Sequence, residues 1–232
     1  MVVLRAVSTL FLLTSLILCG IYAKIELSLM SEMTLPGRLV LLSAMCLSVY
    51  LSSLSMGITL ESAKKLKLMK ATNWVFFALY IILLVTLVLF DSTFGRNANN
   101  ALTENTHGIY FGQRINLVPF KGIGQYITAF VSYSMDVRVV ITNLFGNLAA
   151  FMPFALFLPM LTGIDTLKKF FVSILLIVVG VEILQLITMR GICDIDDVIL
   201  NVSGALVAYG VFKISGVNRF VKMVLLARRE SS

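Results

Sequence analysis

Of the 232 residues, 59% are hydrophobic and only 13% are charged, and the mean hydropathy is +0.96. A soluble domain carries roughly a quarter charged residues, so this chain could not hide its apolar surface in a water-facing fold. The net charge of +7 sits in lysines and arginines beside the apolar runs, not in a stripe interleaved with aromatics, which argues against a nucleic-acid partner.

Six apolar runs follow one another, each near the roughly 20 residues that span the hydrocarbon core as helix. They are expected at about Ala6–Ala23, Leu39–Leu60, Trp74–Phe90, Val139–Leu161, Phe170–Thr188 and Val198–Ile214. The fold class is therefore an all-α polytopic membrane bundle, since in lipid a helix satisfies its own backbone hydrogen bonds. The first run has a rival reading as a cleaved signal peptide, with a small-residue site at Ala23, but Ile21 fits the cleavage pattern poorly and a retained helix is expected. Cys19 and Cys46 lie inside apolar runs and are read as small hydrophobes, and with Cys193 they lack zinc-ligand spacing.

The connections fix the orientation. Pro36-Gly37 punctuates the first, and the second carries Lys64, Lys65, Lys67 and Lys70. The fourth carries Lys168 and Lys169, and Arg219, Lys222, Arg228 and Arg229 follow the last run. With Arg5 these all fall on one side of six alternating spans, which the positive-inside rule makes cytoplasmic, with both termini inside. Of the twelve acidic residues, Glu26, Glu32, Asp91, Glu104, Asp136, Asp194, Asp196 and Asp197 then lie outside.

The third connection, from Asp91 to Arg138, is too long for a simple link and reads as functional. Its second part, Arg114-Ile-Asn-Leu-Val-Pro-Phe-Lys followed by Tyr126-Ile-Thr-Ala-Phe-Val-Ser-Tyr133, is amphipathic and suits the outer interface. Tyr110, Phe111, Phe120, Tyr126, Phe130 and Tyr133 suit the headgroup layer. The lone His107, in a turn-like stretch, has no neighbouring catalytic partner.

Three later runs contain side chains that lipid should reject. Asn143 and Asn147 are four apart on one helix face, with Gly146 between them, and interhelical glue is the plain reading. Pro153 and Pro159 are expected to kink that helix and to free carbonyls for another group to satisfy. Glu182 and Gln185 share a face, with Glu182 about 12 Å of helix inside Arg190. A carboxylate at that depth must be paired, protonated or facing a wet cavity, and Arg190 or the two Asn are the expected partners. In Arg190-Gly-Ile-Cys-Asp194-Ile-Asp196-Asp197, Asp194 or Asp196 would cap the last span, and Asp197, Asn201 and Gly204 continue a polar and small stripe inward. Asn201-Val-Ser203 matches a glycosylation sequon, but inside a span it is a chance match. Under this topology three helices converge on one outward-facing polar pocket roofed by the long loop.

These blocks, Arg114-x-Asn116-Leu-Val-Pro119-Phe120, Asn143-x-x-Gly-Asn147-x-x-x-Phe151-x-Pro153, Glu182-x-x-Gln185 and Arg190-x-x-x-Asp194-x-Asp196-Asp197-x-x-x-Asn201-x-x-Gly204, resemble the VanZ-like family in content and order. The resemblance covers roughly Trp74 to Ile214. It divides the chain into two added N-terminal helices (1–70), a VanZ-like region of four spans with the long outer loop (71–215), and a basic cytoplasmic tail (216–232). It implies a bacterial plasma-membrane protein, with a founding member associated with teicoplanin resistance. The expected pocket comprises Asn116, Pro119, Asn143, Asn147, Glu182, Gln185, Arg190, Asp194, Asp196, Asp197 and Asn201.

Three functions are open to such a pocket. A binding protein would take a membrane lipid or a lipid-linked or lipopeptide ligand at the outer leaflet. An intramembrane enzyme would act on a phospholipid or polyprenyl-phosphate head group, with Glu182, Asp194, Asp196 and Asp197 as candidate acids. No cofactor is called for, although the Asp cluster offers oxygen ligands of the kind Mg²⁺ or Ca²⁺ prefers. A small transporter or scaffold is the third, but neither an internal repeat nor a pair of broken helices is visible.

Overall fold

The computed structural model describes residues 1–26, 34–89, 115–188 and 193–226. Six helical stretches in it are long and apolar enough to cross a membrane, at Val2–Glu26, Leu35–Gly57, Ser62–Leu89, Val137–Thr162, Leu167–Ile187 and Ile195–Lys213. The protein is a multi-pass, all-α membrane protein. Its polarity is inverted as lipid requires: Leu176 and Val207 are 67% and 62% exposed, whereas Glu182 and Asn201 are 3% and 4% exposed.

The chain forms two compact units, one of Met1–Leu83 with Asn218–Ser232 and one of Leu84–Val217. In the first, α1 (Val2–Glu26) and α2 (Leu35–Gly57) pack along a seam of small residues. Ser8 Oγ donates to the Ser52 carbonyl at 3.1 Å, and Ser52 Oγ returns the bond to the Ser8 carbonyl at 2.9 Å. Such reciprocal bonds let two apolar helices approach closely where no hydrophobic force drives them together. Toward the Glu26 end of the pair, Tyr22, Leu42 and Met45 form a buried cluster. Thr34 caps α2 and Pro36 occupies its first turn, where its missing N–H is no loss. Arg38, 4% exposed, closes the helix pair by an ion pair to Glu26 at 2.7 Å.

Helix α3 (Ser62–Leu89) starts a dozen residues before the expected third span. The four lysines read as a connection are therefore its first turns, and the true connection is only residues 58–61. Lysine is a good helix former, so an apolar run does not have to end where charge begins.

In the second unit, β1 (Ile115–Asn116) pairs with β2 (Cys193–Asp194) in a short parallel bridge, with Asn116 opposite Asp194. Next come α4 (Lys121–Val131), α5 (Val137–Ala150), α6 (Phe154–Thr162), α7 (Leu167–Ile187) and α8 (Ile195–Lys213). Asp136 caps α5 by accepting the Arg138 N–H at 2.7 Å. The expected kink is a break between α5 and α6, at Phe151-Met152-Pro153. Pro159 lies within α6 without ending it. The break satisfies itself by three-residue turns, with Met152 N–H donating to Ala149 and Phe154 N–H to Phe151, so no outside group has to rescue those carbonyls. Phe151 and Phe154 stack across it at 5.6 Å. At the far end of α8, Tyr209 stacks on Phe170 at 4.5 Å and donates to the Asp165 carbonyl.

Candidate functional site

The polar side chains gather at the β1–β2 bridge and the start of α8. Asp194 is the N-cap of α8, its Oδ1 accepting the Asp196 N–H at 2.9 Å. The same oxygen accepts from Asn116 Nδ2 at 3.0 Å, so the long connection is tied to the helix start by side chain as well as backbone. Glu182, on α7, uses Oε2 to accept the Asp194 N–H at 3.3 Å. That gives this carboxylate a polar neighbour, and it is a backbone amide, not one of the two Asn. Arg190, the other expected partner, lies outside the described residues, as do His107 and Arg114.

Asp196 does something the sequence did not foretell. It is 3% exposed, and its two oxygens accept three backbone N–H groups at the start of α4. Phe120 N–H donates to Oδ1, while Gly122 and Ile123 N–H donate to Oδ2 at 2.7 and 3.0 Å. The first N–H groups of a helix have no partners within it, and Phe120 supplies no side-chain cap. Asp196 therefore caps α4 from another element and places its charge at the positive end of that helix. Phe120 takes a left-handed conformation (φ 64°), which a non-glycine residue adopts only when its surroundings hold it there. Gly122 leaves the room: a Cβ there would stand 3.2 Å from Asp196 Oδ2 and 3.3 Å from Asp194 Oδ2. Pro119 is exposed and shapes the turn before α4.

Asp197 turns the other way and accepts from Asn147 Nδ2 on α5. One turn on, Asn201 is buried and its Oδ1 has no hydrogen-bond partner among the described residues. A further turn on, Gly204 meets the backbone of α5 so closely that a Cβ would lie 1.7 Å from the Leu148 carbonyl oxygen. The stripe Asp197–Asn201–Gly204 is thus the face that α8 presents to α5. Asn143, by contrast, donates to the Val139 carbonyl of its own helix at 2.8 Å. Gln185 donates to the Val88 carbonyl of α3 at 3.1 Å, tying α7 to α3.

Two further residues belong here. Tyr126, half-buried on α4, has its hydroxyl pushed up in pKa by burial and then by Asp197 and Asp194, so it stays protonated as a donor. Cys193 has its thiol pushed up by burial and then by Glu182, Asp194 and Asp197. From its sequence context Tyr126 has an interfacial role and Cys193 none, although adjacency to Asp194 was a signal for the latter. Among the described residues, no three His, Cys, Asp or Glu side chains are grouped to hold a metal ion. The three aspartates serve three different neighbours, respectively the N-terminus of α8 with Asn116, the start of α4, and Asn147.

A family model described as VanZ/LLP1 matches residues 77–216, more than half of the chain. The chain belongs to the VanZ/LLP1 family. The match takes in the elements that supply this cluster, from Val88 of α3 to Gly204 of α8, and begins after the first two spans of this VanZ-like protein. No curated protein and no solved structure matches the chain.

Proposed function

We propose that this VanZ-like protein resides in a bacterial plasma membrane with both termini cytoplasmic. There it would bind a lipid-linked or lipopeptide ligand at the outer leaflet, and so protect the envelope against teicoplanin-type lipoglycopeptides. The observation that carries this reading is Asp196. It straps α4 onto the same turn that holds Glu182, Asp194 and Asp197. An amphiphile needs both halves of that arrangement. Ile127 and Phe130 on α4 are 52% and 49% exposed and suit an acyl chain. The Tyr126 hydroxyl, the Asn201 oxygen and the acidic side chains suit a polar head group. The orientation is supported by the lysines and arginines clustered at the opposite ends of the spans.

The test is drug susceptibility in a teicoplanin-sensitive host expressing the intact chain. The expected result is a raised inhibitory concentration for teicoplanin, with a smaller change for vancomycin, which lacks the acyl chain. Glu182→Gln and Asp197→Asn, at equal membrane abundance, should return the host to sensitivity. No shift for either drug in cells expressing the intact chain would overturn the resistance reading.

A further inference from the structure

The first unit carries a second surface, remote in composition from the acidic cluster. Lys64, Lys67 and Lys70 are exposed and recur every third residue, a row about 9 Å long on the opening turns of α3. Lys65 lies apart from that row, its chain laid against Gly57, where a Cβ would stand 3.4 Å away. Lys64 meets Glu61 at 3.4 Å, but both side chains are in the open and such a pair is weak.

Within the segment read from the sequence as a basic tail, Ser215–Leu226 form a helix, α9, held by two side-chain bonds. Asn73 Nδ2 donates to the Leu225 carbonyl and Tyr50 Oη to the Val224 carbonyl, both at 3.0 Å. Both bonds end on backbone carbonyls in the last described turn of α9, and Asn73 is fully buried. With that edge held, Val217, Val221 and Val224 are half-buried while Arg219, Phe220, Lys222 and Met223 are exposed. Phe220 is 60% and Met223 50% exposed. Lys70 lies three residues before Asn73 and Lys222 three before Leu225, so each helix carries a lysine about one turn from that bond.

We infer that this face binds the head groups of anionic phospholipids in the leaflet at the lysine-rich end of α3. Orientation alone asks only for a count of cations near the spans. It does not ask for an exposed row beside a helix pinned by buried Asn73, with Phe220 and Met223 interleaved among Arg219 and Lys222. Apolar side chains that enter the acyl boundary, next to cations at phosphate height, make a surface complementary to a negatively charged lipid. The reading is independent of the function proposed above.

Trp74, the single tryptophan, follows Asn73 and is 49% exposed, which makes it a built-in reporter. The full-length protein is reconstituted in phosphatidylcholine vesicles containing either brominated phosphatidylglycerol or brominated phosphatidylcholine, and quenching of Trp74 is measured. The anionic lipid is expected to quench at an about fivefold lower mole fraction, the effect of roughly one cation at a membrane surface. That preference should fall to near one in Lys67→Gln/Lys70→Gln/Lys222→Gln. It should also vanish for the unaltered protein at about 1 M salt, where screening acts within about 3 Å. Equal quenching by the two lipids, or a preference that survives salt, overturns the inference even if the triple variant fails to fold.

Discussion

Asp196 gives the sharpest quantitative expectation. Its carboxylate accepts three backbone N–H groups of α4, and Asp196→Ala removes all three. Hydrogen bonds to a charged group contribute about 1.5–3 kcal/mol each, and amides released at a membrane surface recover part of that from water. A net local cost of about 3–4 kcal/mol is expected, a fall of about 100- to 1,000-fold in the protection of those amides, since about 1.4 kcal/mol is tenfold. Asp196→Asn keeps one carbonyl oxygen and so one or two of the three bonds, and should lose about tenfold. Hydrogen exchange read by mass spectrometry over residues 117–131 makes the measurement, with α7 as the internal reference. Opening should be confined to α4, which is docked by few other polar bonds. Unchanged exchange at Phe120, Gly122 and Ile123 in the alanine variant would refute the capping role. Loss spread evenly through α1 and α7 would show a global role instead.

Other expectations follow from particular contacts. Gly204→Ala forces a methyl into the Leu148 carbonyl and should destabilise the protein by about 3 kcal/mol or more. Gly210→Ala in the same helix meets nothing within 4 Å and should leave the melting temperature unchanged. Asn147→Ala and Asp197→Ala remove the two ends of one bond between α5 and α8, so the double variant should melt no lower than the worse single one. Additive losses would show that the two side chains act separately. In a background lacking Cys19 and Cys46, Cys193 should react slowly with maleimide near neutral pH, because its raised pKa keeps the thiol protonated. Glu182→Gln takes away one of the negative charges that raise it, so labelling at a given pH should become faster. A slower reaction would contradict the placement of Glu182 beside that thiol.

The polar residues were legible one helix at a time, for a physical reason. Lipid penalises buried polar groups so steeply that Asn147, Glu182, Asp197 and Asn201 stand out of their apolar runs without reference to any fold. Periodicity then placed Asp197, Asn201 and Gly204 on one face, which is the face that meets α5. Periodicity could not assign partners. The bond that Glu182 accepts from the Asp194 N–H carries no sequence signal, while Arg190, an expected partner, lies outside the described residues. Asn143 and Asn147 looked equivalent, yet only Asn147 reaches Asp197, while Asn143 bonds its own turn. The C-terminal helix was hidden because a basic tail and a basic amphipathic helix differ little in composition. Asn73 and Tyr50, far away in sequence, bond to the Leu225 and Val224 carbonyls in its last described turn.

By itself the sequence determined the solvent, the number of spans, the family resemblance and the set of side chains that had to be sheltered from lipid. All of these are local consequences of transfer free energy and helix period. The tertiary structure alone decided what each sheltered group does. Whether a carboxylate caps its own helix like Asp194, another helix like Asp196, or an asparagine like Asp197 depends on which backbone atoms arrive within about 3 Å. Only the packing of non-adjacent segments fixes that distance.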